Sequence, residues 1–203
     1  MMRTLACCLG VVAVAMLIGT GCSGERNSPK GKGLPTVRDF EGDLAGDGVV
    51  IEAEDFAAHG GTIEPPMEVD RVEGASGGEC VIIEGGAGKP GGFKPGSETE
   101  KYPDRWGAVT YRFTVRDAGK YLFWGRVFWE DGCGNSFTLV VNGGPPLLFS
   151  GSTTDHWYWE KCSALLDLKA GENVLEVLNR EDGVRLDKII ITRRLDFVPQ
   201  GTE

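Results

Sequence analysis

Between residues 49 and 192 the apolar residues come in short runs broken by glycine, proline, asparagine and aspartate, and none keeps a helical period. The run AVTYRFTV at 108–115 alternates cleanly, so Val109, Tyr111, Phe113 and Val115 share one face. A chain made of such pieces must pair them into sheets and bury one face of each. The spacing predicts strands over 49–54, 67–72, 80–84, 108–115, 120–129, 136–141, 147–149, 157–159, 164–168, 174–178 and 184–192. Asp117-Ala118-Gly119 and Ala170-Gly171-Glu172-Asn173 read as turns, and Asn142-Gly143-Gly144 as a hairpin. The expected fold is all-β, a two-sheet jelly-roll β-sandwich.

The N-terminus reads differently. Arg3 precedes an apolar run over 5–18 and then Gly19-Thr20-Gly21-Cys22, the layout of a secretory signal. The run is too short to span a bilayer comfortably. Small residues ending in cysteine resemble a bacterial lipobox, with Gly19 where leucine is usual. Residues 1–21 are therefore expected to be a lipoprotein signal peptide, with Cys22 acylated. Residues 22–48, rich in Gly, Pro, Lys, Asp and Glu, read as a flexible spacer. Residues 49–192 suffice for one domain with a real core, and 193–203 form a tail. Ser23 does not resemble the aspartate that retains many lipoproteins at the inner membrane, so the outer membrane or cell surface is expected, with the lipid as the only membrane contact.

Charge excludes one large class of partner. The formal net charge is -9, and losing Arg3 with the signal makes it -10. Nucleic acid is not expected, because phosphate binding needs clustered Lys and Arg. Of six cysteines, Cys7 and Cys8 leave with the signal and Cys22 takes the lipid. Cys80, Cys133 and Cys162 allow at most one internal disulfide, its pairing open, and have no metal-ligand spacing.

One residue breaks the apolar pattern of the last strand. Asp187 lies between Leu186 and Lys188, just before Ile189-Ile190-Ile191. A carboxylate there either points to solvent or has a partner that offsets its burial.

Five segments in order carry a resemblance: Glu52-Ala53-Glu54, Ala118-Gly119-Lys120-Tyr121, Lys169-Ala170-Gly171-Glu172-Asn173, Asn179, and Leu186-Asp187-Lys188-Ile189. Together they resemble the carbohydrate-binding modules of families 6 and 35, which are galactose-binding-like β-sandwiches. The resemblance covers about 49–192. It implies a structural calcium ion (Ca2+) held by Glu52, Glu54 and Asp187, helped by a backbone carbonyl from 71–77. Calcium takes several hard oxygen ligands, and residues two apart in a strand point to the same side. It also implies a glycan site in the loops at one end, where aromatic rings stack on the sugar and Asn179 bonds its hydroxyls.

The ring candidates are Trp129, Trp157 and Trp159, with Trp106, His156 and Tyr158 behind them, and Asp131 and Arg180 are polar candidates on the same rim. Core packing competes for every tryptophan, and Tyr121, Phe123 and Trp124 read as core. Were 157–159 a strand, Trp157 and Trp159 would share one face and Tyr158 the other. Ile82 stands where the family often has a stacking aromatic. Carboxylates at 130, 131, 181 and 182 could in principle work as an acid–base pair, but they read as solvated loop charges or hydrogen-bond partners. No Ser-His-Asp motif or phosphate loop is visible, so no enzyme activity is expected. The sequence points to a non-catalytic surface lipoprotein that binds polysaccharide or oligosaccharide, with a structural or protein-interaction domain as the alternative.

Overall fold

The computed structural model describes residues 44, 46–87, 107–154 and 156–201. The predicted signal, Cys22 and Trp106 lie outside these residues. Twelve strands are formed: β1 (Gly48–Glu52), β2 (Ile63–Glu64), β3 (Glu68–Arg71), β4 (Glu79–Ile83), β5 (Ala108–Val115), β6 (Gly119–Trp129), β7 (Ser136–Val141), β8 (Leu147–Ser150), β9 (Tyr158–Lys161), β10 (Leu166–Leu168), β11 (Gly171–Asn179) and β12 (Val184–Thr192).

They build two antiparallel sheets. The larger has the path β10-β6-β12-β4-β3, with β9 beside β6 and β1 beside β12; the smaller runs β2-β5-β11-β7-β8. The alternation of β5 works as expected: Val109, Tyr111, Phe113 and Val115 enter the core between the sheets. From β6, Tyr121, Phe123, Val127 and Trp129 point inward, and from β12 Val184, Leu186, Ile189 and Ile191 do so. At one end β6 and β12 are apolar on both faces, because a second layer covers that part of their outer side. There Leu122, Trp124 and Ile190 pack with Leu44 and Phe197, from the segments that precede and follow the sandwich. Arg193 N–H donates to the Asp47 carbonyl at 2.9 Å, which fastens those two segments together.

Several boundaries differ from the sequence reading. β1 stops at Glu52, and the chain turns at once into a 3-10 segment, Ala53–Ala57. Buried Ala53, whose carbonyl accepts the Tyr111 hydroxyl at 2.9 Å, holds that turn. Glu52 and Glu54 therefore do not alternate along one strand. β2 is two residues long, too short to show a period. β11 opens at Gly171, inside the predicted turn. Trp157 precedes β9, yet the expected division holds: Tyr158 packs on the main core while Trp157 and Trp159 join outer clusters.

Gly125 occupies an inward position of β6, where a Cβ would stand 2.7 Å from Phe149 Cζ. That ring is fully buried, 4.9 Å from Phe123 and 5.9 Å from Trp129 between ring centres. Overpacking at such a site costs about 1–3 kcal/mol, so Gly125→Ala should lower the urea midpoint accordingly. An unchanged midpoint would contradict this packing.

Candidate functional site

Two regions hold polar groups that the fold does not need for its core. The first lies on the outer face of the larger sheet. Register between β6 and β12 shifts between Leu186 and Lys188, so Asp187 is the extra residue of a β-bulge. Leu186 and Ile189 both face the core, and the two residues between them are turned to the outer face. There the Asp187 carboxylate accepts the Arg126 guanidinium at 2.6 Å and the Ser76 backbone N–H at 2.6 Å. Lys188 Nζ lies 2.9 Å from Glu52 Oε1 and donates to Ser76 Oγ at 2.7 Å. Arg126 also donates to the Gly74 carbonyl at 3.0 Å. Loop 72–78 is thus bound to β6 and β12 by charged groups that are almost wholly buried.

Among the described residues three carboxyl groups share two cations: Arg126 pairs with Asp187 and Lys188 with Glu52, while Glu52 Oε2 and Glu54 Oε2 are buried without a hydrogen-bond partner. Burial pushes the Glu54 carboxyl up to about 8, and the negative charges of Glu52, Asp187 and Asp55 add to the shift. Burial also raises Asp187, held back by Arg126 and the Ser76 N–H. The structure therefore brings all three predicted calcium ligands into one cluster, but with both Asp187 oxygens already engaged. Among the described residues no three acidic, His or Cys side chains stand ready as a metal-binding set. Two orphaned carboxyl oxygens, with a negative charge at Glu54 once its proton is released, still fit a hard cation.

The second region is the rim formed by the ends of β6, β11 and β12. The predicted ring platforms are not on it. Trp129 has no exposed surface and packs between Phe137 and Phe149, so it is core. Trp157 is buried, its Nε1 donating to the Glu73 carbonyl at 3.0 Å and its ring 5.3 Å from the Arg126 guanidinium, so it props loop 72–78. Trp159 is half-buried against the outer cluster of Trp124 and Ile190. Asn179 is buried at the end of β11; a Cβ on Gly107 would come within 2.9 Å of its own Cβ, so it lies beneath the surface.

The polar candidates serve the loops. Asp131 Oδ1 accepts the Cys133 and Gly134 backbone N–H groups at 2.7 and 3.0 Å, which closes the loop after β6. Arg180 pairs with Glu181 at 2.7 Å, and both bond Ser136. Cys80 and Cys162 are buried free thiols and Cys133 is exposed, so no disulfide joins them.

An open groove remains beside these loops. Phe128, Glu130, Thr153, Thr154 and His156 line about 560 Å³. Phe128 is fixed by the Arg185 guanidinium 5.1 Å above its ring and by the Trp157 ring at 5.7 Å. Sequence reasoning missed Arg126, Lys188, Phe128 and both threonines. The signal for the first two was available, since each is a charge in an apolar strand, as Asp187 is. The groove had no such signal, because its walls come from segments far apart in the chain.

Solved structures share this fold. A family 35 carbohydrate binding module from Clostridium thermocellum matches 71% of this chain and 98% of its own, with a TM-score of 0.53 and 23% identity. The C-terminal CBM6 of LamC, a laminarinase from Zobellia galactanivorans, matches 72% of this chain and 100% of its own, with a TM-score of 0.51 and 19% identity. An exo-beta-1,3-galactanase from Phanerochaete chrysosporium aligns over 71% of this chain at 22% identity and a TM-score of 0.53, and this chain spans only 29% of that one. No protein-family profile and no curated protein matches the sequence. At these identities the likeness establishes the fold, which is the β-sandwich of family 6 and 35 carbohydrate-binding modules.

Removing one member of the Arg126–Asp187 pair leaves the other charged and buried, so Arg126→Ala or Asp187→Ala should cost about 3–5 kcal/mol. Arg126→Met with Asp187→Leu should recover much of that loss, as urea denaturation can measure. Glu54 keeps its proton up to about 8 when folded but releases it near 4.5 when unfolded. In chelator, stability present below about 4.5 should therefore be lost progressively as pH rises toward 8, with the raised Asp187 acting in the same direction. A melting temperature that rises over that range would contradict the cluster.

Proposed function

We propose that this module binds a glycan without transforming it, on a lipoprotein tethered to the bacterial cell envelope through Cys22. The observation that carries the reading is coverage. The chain spans nearly all of two modules that are named for binding carbohydrate, but only 29% of the galactanase and of a Podospora anserina GH26-CBM35 mannanase. The groove beside the loops supports it, because aromatic, hydroxyl and carboxylate groups together suit a sugar. A site so open makes few contacts, and affinity per site is expected to be weak. A tethered protein at a polysaccharide surface gains from several such sites acting together.

Calcium would be held by Glu52 and Glu54, whose free oxygens face no partner, with Asp187 adding charge. Bound there, the ion supplies positive charge that joins the end of β1, the following 3-10 turn and the β12 bulge. Its role is stability rather than chemistry.

One observation favours a second reading, a structural or protein-interaction domain. The tryptophans at 124, 129 and 157 are buried rather than presented to solvent.

A glycan array probed with the mature chain in calcium separates the two readings. Retention of β-1,3-glucan, galactan or mannan, with a matching hit in solution, is the expected outcome. A clean negative across plant, algal and bacterial glycans would leave the protein-interaction reading.

A further inference from the structure

We propose that the groove of Phe128, Glu130, Thr153, Thr154 and His156 is the sugar-binding site, and that it selects uncharged glycans over uronates and sulfated chains. This rests on the glycan-binding reading and adds to it both the residues and the substrate class.

Among the groove's described lining residues the formally charged side chain is a carboxylate, Glu130, and none is a lysine or arginine. Glu130 is well exposed, and its Oε2 lies 3.4 Å from Arg185 Nη2. An ionised carboxylate accepts hydrogen bonds and cannot donate, so two neighbouring sugar hydroxyls are its natural partners. Thr154 Oγ1 gives its proton to the His156 carbonyl at 2.7 Å, which leaves its lone pairs to accept a further hydroxyl proton. Thr153 adds a hydroxyl that can donate or accept. Phe128 supplies an apolar wall suited to the C–H face of a pyranose ring.

Electrostatics then sets the class. Arg185, the nearby cation, lies over Phe128 and against Glu130, with only about a fifth of its side chain exposed, so its charge is directed at Glu130 rather than into the groove. A uronate or sulfate entering the groove meets Glu130, with no lysine or arginine among the described lining residues to answer it. The chain's net charge of -9 opposes polyanions further. The groove is also rigid where it matters. Trp157, whose ring packs on Phe128, is anchored to loop 72–78 through the Glu73 carbonyl. The apolar wall is thus preorganised by the ionic cluster beneath it.

Calorimetry and affinity electrophoresis of the mature chain would test this, with soluble β-1,3-glucan, galactan and mannan set against polygalacturonate and alginate. The expected result is binding of a neutral polysaccharide, with uronate polymers at least about tenfold weaker at moderate salt. Glu130→Gln removes a charge-assisted acceptor and should weaken neutral binding about tenfold while narrowing the preference, with the melting temperature unchanged. Thr153→Ala with Thr154→Ala should also weaken binding in a protein that still folds. Uronate binding as tight as neutral binding would overturn the selectivity. Neutral binding that survives both variants unchanged would overturn the site but leave the glycan reading intact. If no polysaccharide binds, the glycan reading itself fails, and this inference with it.

Discussion

The buried pair of Arg126 and Asp187 is the contact on which the rest of the site depends. Two charges of opposite sign, 2.6 Å apart and almost without solvent exposure, are costly to bury and costlier to separate. They are tolerable because each meets further partners, the Ser76 N–H on one side and the Gly74 carbonyl on the other. A one-residue bulge makes the arrangement possible. Without the extra residue at 187, regular alternation would send either Asp187 or Lys188 into the apolar core. With it, both charges join Arg126 and Glu52 on the outer face.

From that pair the organisation extends in two directions. Loop 72–78 is held down by Asp187, Arg126 and Lys188, and Trp157 is in turn held by the loop. Trp157 steadies Phe128, which walls the groove. Toward the other end of the same face, Leu44 and Phe197 close over Leu122, Trp124 and Ile190. This second layer is why Trp124 and Trp159 present little of their rings to solvent. The rings support the sheet from outside, where a sandwich with solvated outer faces would carry polar residues.

Much of the fold was legible in the sequence, because strand alternation and turn chemistry are local. The bounds of β5, β7 and β12 were read without error, and the division of Trp157 and Trp159 from Tyr158 followed from period two alone. The sites were less legible, since they depend on which distant segments meet. Asp187 stands out in the sequence as a carboxylate that either points to solvent or has a partner, but nothing local names Arg126 as that partner. Arg126 is sixty-one residues away and became visible only once β6 and β12 lay side by side. Trp129 looked like a rim residue because it ends its strand, yet the pleat turns it inward between Phe137 and Phe149. Glu54 was expected to stand on a strand with Glu52, and the 3-10 turn moved it without removing it from the cluster.

We propose that Glu52 and Glu54, in the cluster with Asp187, Arg126 and Lys188, take calcium in exchange for the Glu54 proton. The most direct measurement is calorimetric titration of calcium into metal-stripped mature protein near pH 7, in two buffers of different ionisation enthalpy. The account predicts one ion per chain and release of the Glu54 proton, seen as heat that depends on the buffer. Absence of binding, or binding with the same heat in both buffers, would contradict it.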